Sequence, residues 1–441
     1  MVAKIPKRVS TAILNSLRAG VVPRIGLPYI AVGRTKETET LVNDLTNISA
    51  GGACFRFVVG RYGSGKSFML QLIRNNALDR NFVVLDGDLS PERRLAGGKG
   101  QGLATYRELM QNIATKTRPE GGALGAILER WISGVQSQVL QETGLRPSDA
   151  GFNRRVETQI HTVIDSMEGL VHGFDFANVL TTYWNGYQTD NDVQKNAALR
   201  WLRGEYSTKT EARQYLEVRV IIDDDSWYDY LKLIARFIVS IGYEGLVVLI
   251  DEAVNLYKIN HSVTRQMNYE KVLTLFNDTM QGRAENLGII MGGTPQFLED
   301  ERRGLYSYDA LRTRLVKSRF ADDQVFDGSD PVIHLQSLTQ DEIFLLLQKI
   351  AEIHRIHYQY ETQVSSDDLV EFMQVIVNVL GANQLLTPRD VVKDFLTLLY
   401  IWQESNGASF TSLLQSSKFQ PAAPLTSLDQ DEDDEFAEFT L

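Results

Sequence analysis

Cysteine and long apolar runs are what this 441-residue sequence has least of. Its single cysteine, Cys54, excludes an internal disulfide and a multi-cysteine zinc site, so we expect it to be a packing residue. No apolar run approaches the roughly 20 residues that a membrane span needs, and the first residues lack the apolar core of a signal peptide. These absences together predict a cytoplasmic protein with no membrane partner.

The sequence also lacks the excess of positive charge that is typical of strong DNA-binding proteins. Its formal net charge is −11, and the last 21 residues hold seven acidic residues and no lysine or arginine. The remaining chain therefore carries −4, the difference between −11 and −7. A formal charge so close to zero over residues 1–420 does not support a large basic surface, although local basic patches are compatible with it.

The most informative stretch of the sequence is the glycine-rich segment 60–67, GRYGSGKS. An apolar run typical of a strand precedes it, and a pattern with helical spacing follows it. In such a loop glycines let backbone N–H groups turn around a β-phosphate, Lys66 reaches the β- and γ-oxygens, and the Ser67 hydroxyl is a ligand for Mg²⁺. The segment therefore predicts a triphosphate site formed by Gly60, Tyr62, Gly63, Ser64, Gly65, Lys66 and Ser67.

A second motif consists of two acidic residues that follow a buried strand. The continuous apolar run 246–250 is typical of a central parallel strand, and it ends in Asp251 and Glu252. Such a strand ends at the edge of the sheet where phosphates bind. There Asp251 can hold Mg²⁺ through water, and Glu252 can orient or deprotonate the attacking water. Turn or helix-cap groups are the alternative, and the loop at 60–67 favours the catalytic interpretation.

Two further segments are candidates to border the nucleotide. Val32 and Gly33 lie ahead of the phosphate-loop strand, where backbone groups can approach a flat adenine closely; an ordinary connecting loop is the alternative. Thr294 follows a strand predicted over 287–291, where a hydroxyl can sense the γ-phosphate or position water. A simple turn is the alternative for Thr294.

Four arginines are candidates for contacts with the γ-phosphate. One of Arg312, Arg314 and Arg319 could reach into a neighbouring subunit's site as an arginine finger, which is worth roughly 10³ to 10⁵ in rate. Surface salt bridges are the alternative. Arg389 lies in the first turn of a predicted helix that begins after Thr387, where it can touch the γ-phosphate or remain a solvated group.

The pattern of apolar residues predicts an α/β fold with a parallel sheet around the phosphate loop. His354 and His357 have helical spacing without cysteine or carboxylate-rich company, which favours the surface of a helical lid over a metal site. The predicted division is a basic amino-terminal arm (1–28), a nucleotide-binding core (29–118 and 220–334), a helical insertion with its own small core (119–219), a lid of three helices (335–415) and a disordered acidic tail (416–441).

The order of these motifs resembles that of AAA+ ATPases. More closely, the chain is similar to the ATP-binding proteins of BREX-type phage-defence systems, which look related to the origin-recognition ATPases. The segments that carry this similarity are 32–34, 60–67, 89–92, 251–253, 293–295, 308–315 and 387–389. Within the insertion at 119–219 there is no such segment.

The resemblance implies an AAA+ core that binds ATP and Mg²⁺, a homo-oligomer with sites between subunits, and a partner such as a helicase or another defence-system protein. DNA is a further candidate ligand. Origin-recognition ATPases usually carry a winged helix after the lid, and too little folded chain remains here for one. This departure puts DNA binding through such a domain in doubt.

Two functions therefore remain open from the sequence. The first is a Mg²⁺-dependent ATPase that couples hydrolysis to DNA or helicase handling in bacterial phage defence. The alternative is a nucleotide-gated signalling or scaffold switch that hydrolyses slowly and does not remodel DNA. Glu252 and an arginine finger favour the ATPase, whereas the near-neutral charge of residues 1–420 favours the switch.

Overall fold

The computed structural model describes residues 5–316, 328–380, 387–405 and 409–414. The sequence candidate Arg319 and the acidic segment 416–441 lie outside the described residues. The chain divides into two compact units. The helical unit comprises the described residues of Met1–Thr35, Tyr62–Phe68 and Gln336–Leu441, and the sheet unit comprises those of Lys36–Arg61 and Met69–Leu335.

The sheet unit is built around a five-stranded sheet with the order β2-β3-β4-β1-β5, in which every neighbouring pair is parallel. A parallel sheet is covered by helices on both faces, which explains why its central strands are continuous apolar runs. The strands are β1 (Ala53–Gly60), β2 (Val83–Asp88), β3 (Leu246–Asp251), β4 (Leu287–Gly293) and β5 (Val332–Leu335). The α/β class and the parallel sheet predicted from the sequence are therefore confirmed.

Helices make up most of the remaining described chain. In chain order they are α1 (Lys7–Arg18), α2 (Leu27–Ile30), α3 (Thr35–Ser49), α4 (Lys66–Asp79), α5 (Gln101–Gln111), α6 (Leu124–Thr143), α7 (Phe152–Glu168), α8 (Gly173–Gln188), α9 (Asp192–Leu202), α10 (Lys209–Leu216), α11 (Trp227–Ser240), α12 (Val254–Tyr257), α13 (Ser262–Met280), α14 (Pro295–Glu299), α15 (Asp309–Leu315), α16 (Gln340–Tyr358), α17 (Ser366–Leu380), α18 (Pro388–Glu404) and α19 (Phe410–Leu414). Among the described residues, none of these helices is long and apolar enough to cross a membrane.

Helices α6 to α10 occupy most of the segment predicted as an insertion, and Trp131 and Trp201 of this segment are buried packing residues. Trp131 meets Phe237 of α11 edge to face at 5.1 Å, and Trp201 meets Tyr230 of the same helix at 5.2 Å. Nine of the 14 residues of α11 are buried, and its apolar face joins these helices to the core around the sheet. The segment thus shares one continuous core with the sheet instead of having its own, and its status as an insertion stays a prediction.

The helical unit joins the beginning of the chain to its last helices. Helix α1 packs against α16 and α18, with Ile13 and Leu14 buried, and the Ser10 hydroxyl lies 2.8 Å from Nδ1 of His357. The three helices predicted for the segment after residue 335 are present as α16, α17 and α18. Whether they act as a lid stays a prediction.

His354 is buried, so the expectation that it lies on the surface is wrong. Its side chain is fully covered, its Nδ1 lies 2.9 Å from the Tyr360 hydroxyl, and its ring contacts Tyr358 and Tyr400. Burial, with a smaller effect from His357, lowers the pKa of His354 to about 4. The imidazole is therefore a neutral part of an aromatic cluster.

Candidate nucleotide-binding site

The glycine-rich segment connects a strand to a helix, as the sequence predicts. Strand β1 ends at the buried Gly60, and helix α4 begins at Lys66. Gly63 and Gly65 have φ angles of +78° and +95°, a left-handed conformation that residues with a Cβ rarely adopt. The first four N–H groups of an α-helix have no acceptor within the helix, so a loop and helix start of this kind can bind a phosphate. Phosphate binding by this loop stays a prediction.

Within the helical unit, the loop is held by the segment before α3 and by the start of α18. Nη2 of Arg34 donates to the Ser64 carbonyl at 3.2 Å and also to the Gln336 carbonyl. Thr387 caps α18, as predicted: its hydroxyl accepts from the Asp390 N–H. The sequence marked Arg34 only by resemblance, because its contact with the loop depends on tertiary structure.

Gly63 contacts Thr387 so closely that no side chain fits there. A Cβ on Gly63 would lie 2.6 Å from Cγ2 of Thr387. We therefore expect Gly63→Ala to lower the free energy of unfolding by roughly 1–2 kcal/mol through the left-handed backbone alone, with a further loss from the clash. Urea unfolding measures this change. Gly98→Ala is the control, because a Cβ on Gly98 meets nothing within 4 Å; equal stability of the two variants would contradict the account.

In the sheet unit, three carboxylates gather where β2 and β3 end. Asp88 and Asp251 are partners in the parallel register, and Glu252 follows directly. The Glu252 N–H donates to Oδ1 of Asp251 at 2.8 Å. Glu252 has a φ of +57°, which is uncommon for a residue other than glycine and clusters at functional sites.

Asp88 was not a predicted site residue. It is exposed at the end of β2, yet partial desolvation and then the charges of Asp251 and Glu252 raise its pKa, while Arg93 opposes them. The signal in the sequence was that β2 and β3 both end in acidic residues, and parallel strands end at one edge. The result is a concentration of negative charge at this edge of the sheet.

The raised pKa of Asp88 makes stability depend on pH. Folding disfavours the charged carboxylate, and this penalty is fully present above the raised pKa and absent below the unfolded-state pKa. We expect Asp88→Asn to raise the Tm at pH 7.5, with a gain that shrinks as the pH falls towards 4. Thermal unfolding across this range measures the gain.

The control for Asp88→Asn is Asp165→Asn on α7, since Asp165 is exposed on that helix. It should leave the Tm close to that of the wild type at each pH. An Asp88→Asn variant that is less stable than the wild type at pH 7.5 would show that Asp88 makes net favourable contacts.

Strand β4 supports Asp251 from its other side. A Cβ on Gly292 would overlap Oδ1 of Asp251, so the carboxylate occupies the space that a side chain on β4 would fill. Thr294, which follows β4, caps α14 by accepting the Phe297 N–H at 3.3 Å. Its role as a turn residue is therefore visible, and its contact with a γ-phosphate stays a prediction.

The two described arginine-finger candidates lie on α15 and contact their own chain. Nη2 of Arg312 lies 3.0 Å from Oε1 of Glu301. Arg314 donates to Oδ1 of Asn277 at 3.2 Å and to the Ala310 carbonyl at 2.6 Å. Both are exposed, so contacts of this kind cost little to exchange for others. The finger role stays a prediction.

Val32 and Gly33 belong to the helical unit. Val32 is buried, Gly33 has a φ of +60°, and the preceding Ala31 carbonyl accepts from Nζ of Lys349 at 2.6 Å. The segment is thus ordered against α16. Its contact with adenine stays a prediction.

The described residues contain no group of three or more His, Cys, Asp or Glu side chains placed to hold a metal on their own. Mg²⁺ usually keeps several waters and is bound by one or two protein groups together with substrate phosphates. Ser67 has a hydroxyl in the first turn of α4, and Asp251 has a carboxylate at the end of β3. Both are donor types that Mg²⁺ accepts, and their role as its ligands stays a prediction.

These features define an α/β protein with a parallel sheet, whose first strand, glycine-lysine loop and helix are consistent with a P-loop nucleotide-binding core. The chain belongs to the family of BREX system ATP-binding proteins BrxC/D, whose sequence model matches residues 5–418. The family resemblance drawn from the motifs is therefore confirmed, and the family name gives ATP as the ligand. A comparison with curated proteins finds no match.

Proposed function

We propose that this protein is a Mg²⁺-dependent ATPase of the AAA+ type, acting in the bacterial cytoplasm in defence against phage. The observation that carries the proposal is that β1 and β3 are parallel strands of one sheet. The loop that continues from β1 and the carboxylates that end β3 therefore leave the sheet at one edge. A triphosphate site needs both groups together.

In the proposed site the loop binds the phosphates, and the carboxylates hold the metal and activate the attacking water. N–H groups of residues 63–67 hold the phosphates, and Lys66 neutralises charge on the β- and γ-oxygens. Ser67 and Asp251 hold the metal, which when bound stabilises the charge that develops on the phosphates. Glu252 orients the attacking water and accepts its proton.

The remaining candidates complete the site in the same proposal. Thr294 and Arg389 contact the γ-phosphate, and Val32 and Gly33 border the adenine. An arginine finger, Arg312 or Arg314, comes from a neighbouring subunit of a homo-oligomer, with α16 to α18 as the lid. The exposed positions of the two arginines support this assignment, since a finger must be free to leave its own chain's contacts.

The proposed use of hydrolysis is to drive DNA or helicase handling beside another defence-system protein. The switch with slow hydrolysis is kept as a second candidate because the chain outside its acidic end carries a formal charge of only −4, the difference between −11 and −7. Strong DNA binding would be expected to show a more basic surface.

Steady-state ATP hydrolysis, measured without DNA and with single- or double-stranded DNA, tests this proposal. Stimulation by DNA supports a DNA-handling ATPase, whereas turnover that DNA does not change supports the switch. Absence of hydrolysis in every condition, together with measured ATP binding, would contradict the ATPase assignment. Sizing the protein with and without ATP tests the homo-oligomer.

A further inference from the structure

We propose that Tyr62 positions Arg389, and that this pair makes the site prefer a nucleoside triphosphate to a diphosphate. The inference rests on the proposed nucleotide site and names a residue that determines its specificity. Position 62 is one of the variable positions of the phosphate-loop pattern, so the motif gives Tyr62 a backbone role in the loop but assigns none to its side chain.

The contact lies within the helical unit. Nη1 of Arg389 donates to the Tyr62 hydroxyl at 2.7 Å, and the guanidinium carbon lies 5.3 Å from the centre of the Tyr62 ring. The phenol thus contributes both a hydrogen-bond acceptor and an aromatic face. Tyr62 keeps 61% of its surface exposed, so apolar burial does not account for a tyrosine here.

The base of Arg389 is also fixed. Thr387 caps α18 and donates its hydroxyl hydrogen to Oδ2 of Asp390 at 2.6 Å, which sets where the helix begins. The stem of Arg389 passes Gly20, where a Cβ would lie 3.6 Å from Cδ. The guanidinium is thus bonded to Tyr62, which lies four residues before Lys66 in the sequence.

This geometry favours recognition of a terminal phosphate. A guanidinium has five N–H donors in a rigid fork, and the bond to Tyr62 uses one of them. The others can form charge-assisted bonds to phosphate oxygens, which are stronger than neutral hydrogen bonds. A diphosphate lacks the γ-phosphate that this guanidinium contacts in the proposed site.

The test is a double-mutant cycle on nucleotide preference. The Kd values of Mg²⁺-AMP-PNP and Mg²⁺-ADP are measured for the wild type, Tyr62→Phe, Arg389→Gln and the double variant. We expect Arg389→Gln to lower the ratio of the ADP Kd to the AMP-PNP Kd by roughly 10- to 100-fold. Tyr62→Phe keeps the ring and loses the acceptor, so its loss should be smaller, roughly 3- to 10-fold.

If Tyr62 acts by positioning Arg389, the two changes are not additive, and the double variant should have the same ratio of the two Kd values as Arg389→Gln. Tyr215→Phe on α10 is the matched control and should leave the ratio unchanged. Two results would overturn the inference while leaving the nucleotide site intact. One is a Tyr62→Phe protein whose ratio of the ADP Kd to the AMP-PNP Kd equals that of the wild type. The other is a Tyr62→Phe change that lowers this ratio equally in the wild-type and the Arg389→Gln background. A wild-type protein that binds neither nucleotide would overturn both.

Discussion

Replacing Lys66 by alanine is expected to abolish measurable ATP binding. Lys66 begins α4 directly after the loop, and its ammonium is the group in the proposed site that reaches both the β- and the γ-phosphate. Losing two charge-assisted contacts should raise the Kd for ATP by roughly 10² to 10⁴-fold. Isothermal titration calorimetry or fluorescence anisotropy with a labelled ATP analogue measures this change.

Lys116→Ala is the matched control for Lys66→Ala. Lys116 is exposed, and its Nζ lies 3.6 Å from Oδ1 of the exposed Asp79. Removing its side chain should therefore leave both ATP affinity and the Tm nearly unchanged. A Lys66→Ala protein that remains folded and binds ATP as the wild type does would show that the phosphates lie elsewhere.

Replacing Glu252 by glutamine is expected to separate binding from turnover. The substitution keeps the size of the side chain and removes its ability to accept a proton, so kcat should fall by roughly 10² to 10⁴-fold. The Kd for ATP should stay within a few-fold of the wild-type value, because Glu252 acts on water and not on the phosphates. Single-turnover hydrolysis together with equilibrium binding measures both quantities.

Glu168→Gln is the matched control, since it makes the same chemical change at an exposed position at the end of α7. It should hydrolyse ATP at the wild-type rate. If Glu252→Gln retained more than half of the wild-type kcat, the base would have to be another group, with Asp88 the first candidate because it shares the carboxyl edge of β2 and β3.

The sequence predicted the centre of the sheet well, because strands buried on both faces are continuous apolar runs. The runs before Gly60 and Asp251 were therefore recognisable as β1 and β3. Strand β5 was not predicted, since its four residues include His334 and carry too short a pattern. It is recognisable only beside β1, with which it pairs.

Within the candidate site, the sequence predicted the groups that belong to a local motif. The loop from Gly60 and the pair at Asp251 have fixed spacing along the chain. The contact of Tyr62 with Arg389 joins residues that are far apart in sequence, and no periodicity encodes it. The covered position of His354 has the same cause, because the aromatic residue Tyr400 that helps to bury it comes from another helix.

The grouping of the chain likewise depends on contacts that a local pattern does not contain. Helix α1 was recognisable from its spacing, but its packing against α16 and α18 is a long-range contact. The sequence predicts helices α6 to α10 as a separate helical region. Their apolar stripes do not show that α11 belongs to the same hydrophobic core. Local patterns specify elements, and tertiary packing decides what those elements cover.

The most direct test of the central claim is a crystal structure of the protein with AMP-PNP and Mg²⁺. The account predicts the β-phosphate on the N–H groups of residues 63–67, Lys66 on the β- and γ-oxygens, and Mg²⁺ between Ser67 and a water held by Asp251. A nucleotide bound elsewhere, with the loop at 60–67 making no phosphate contact, would contradict it.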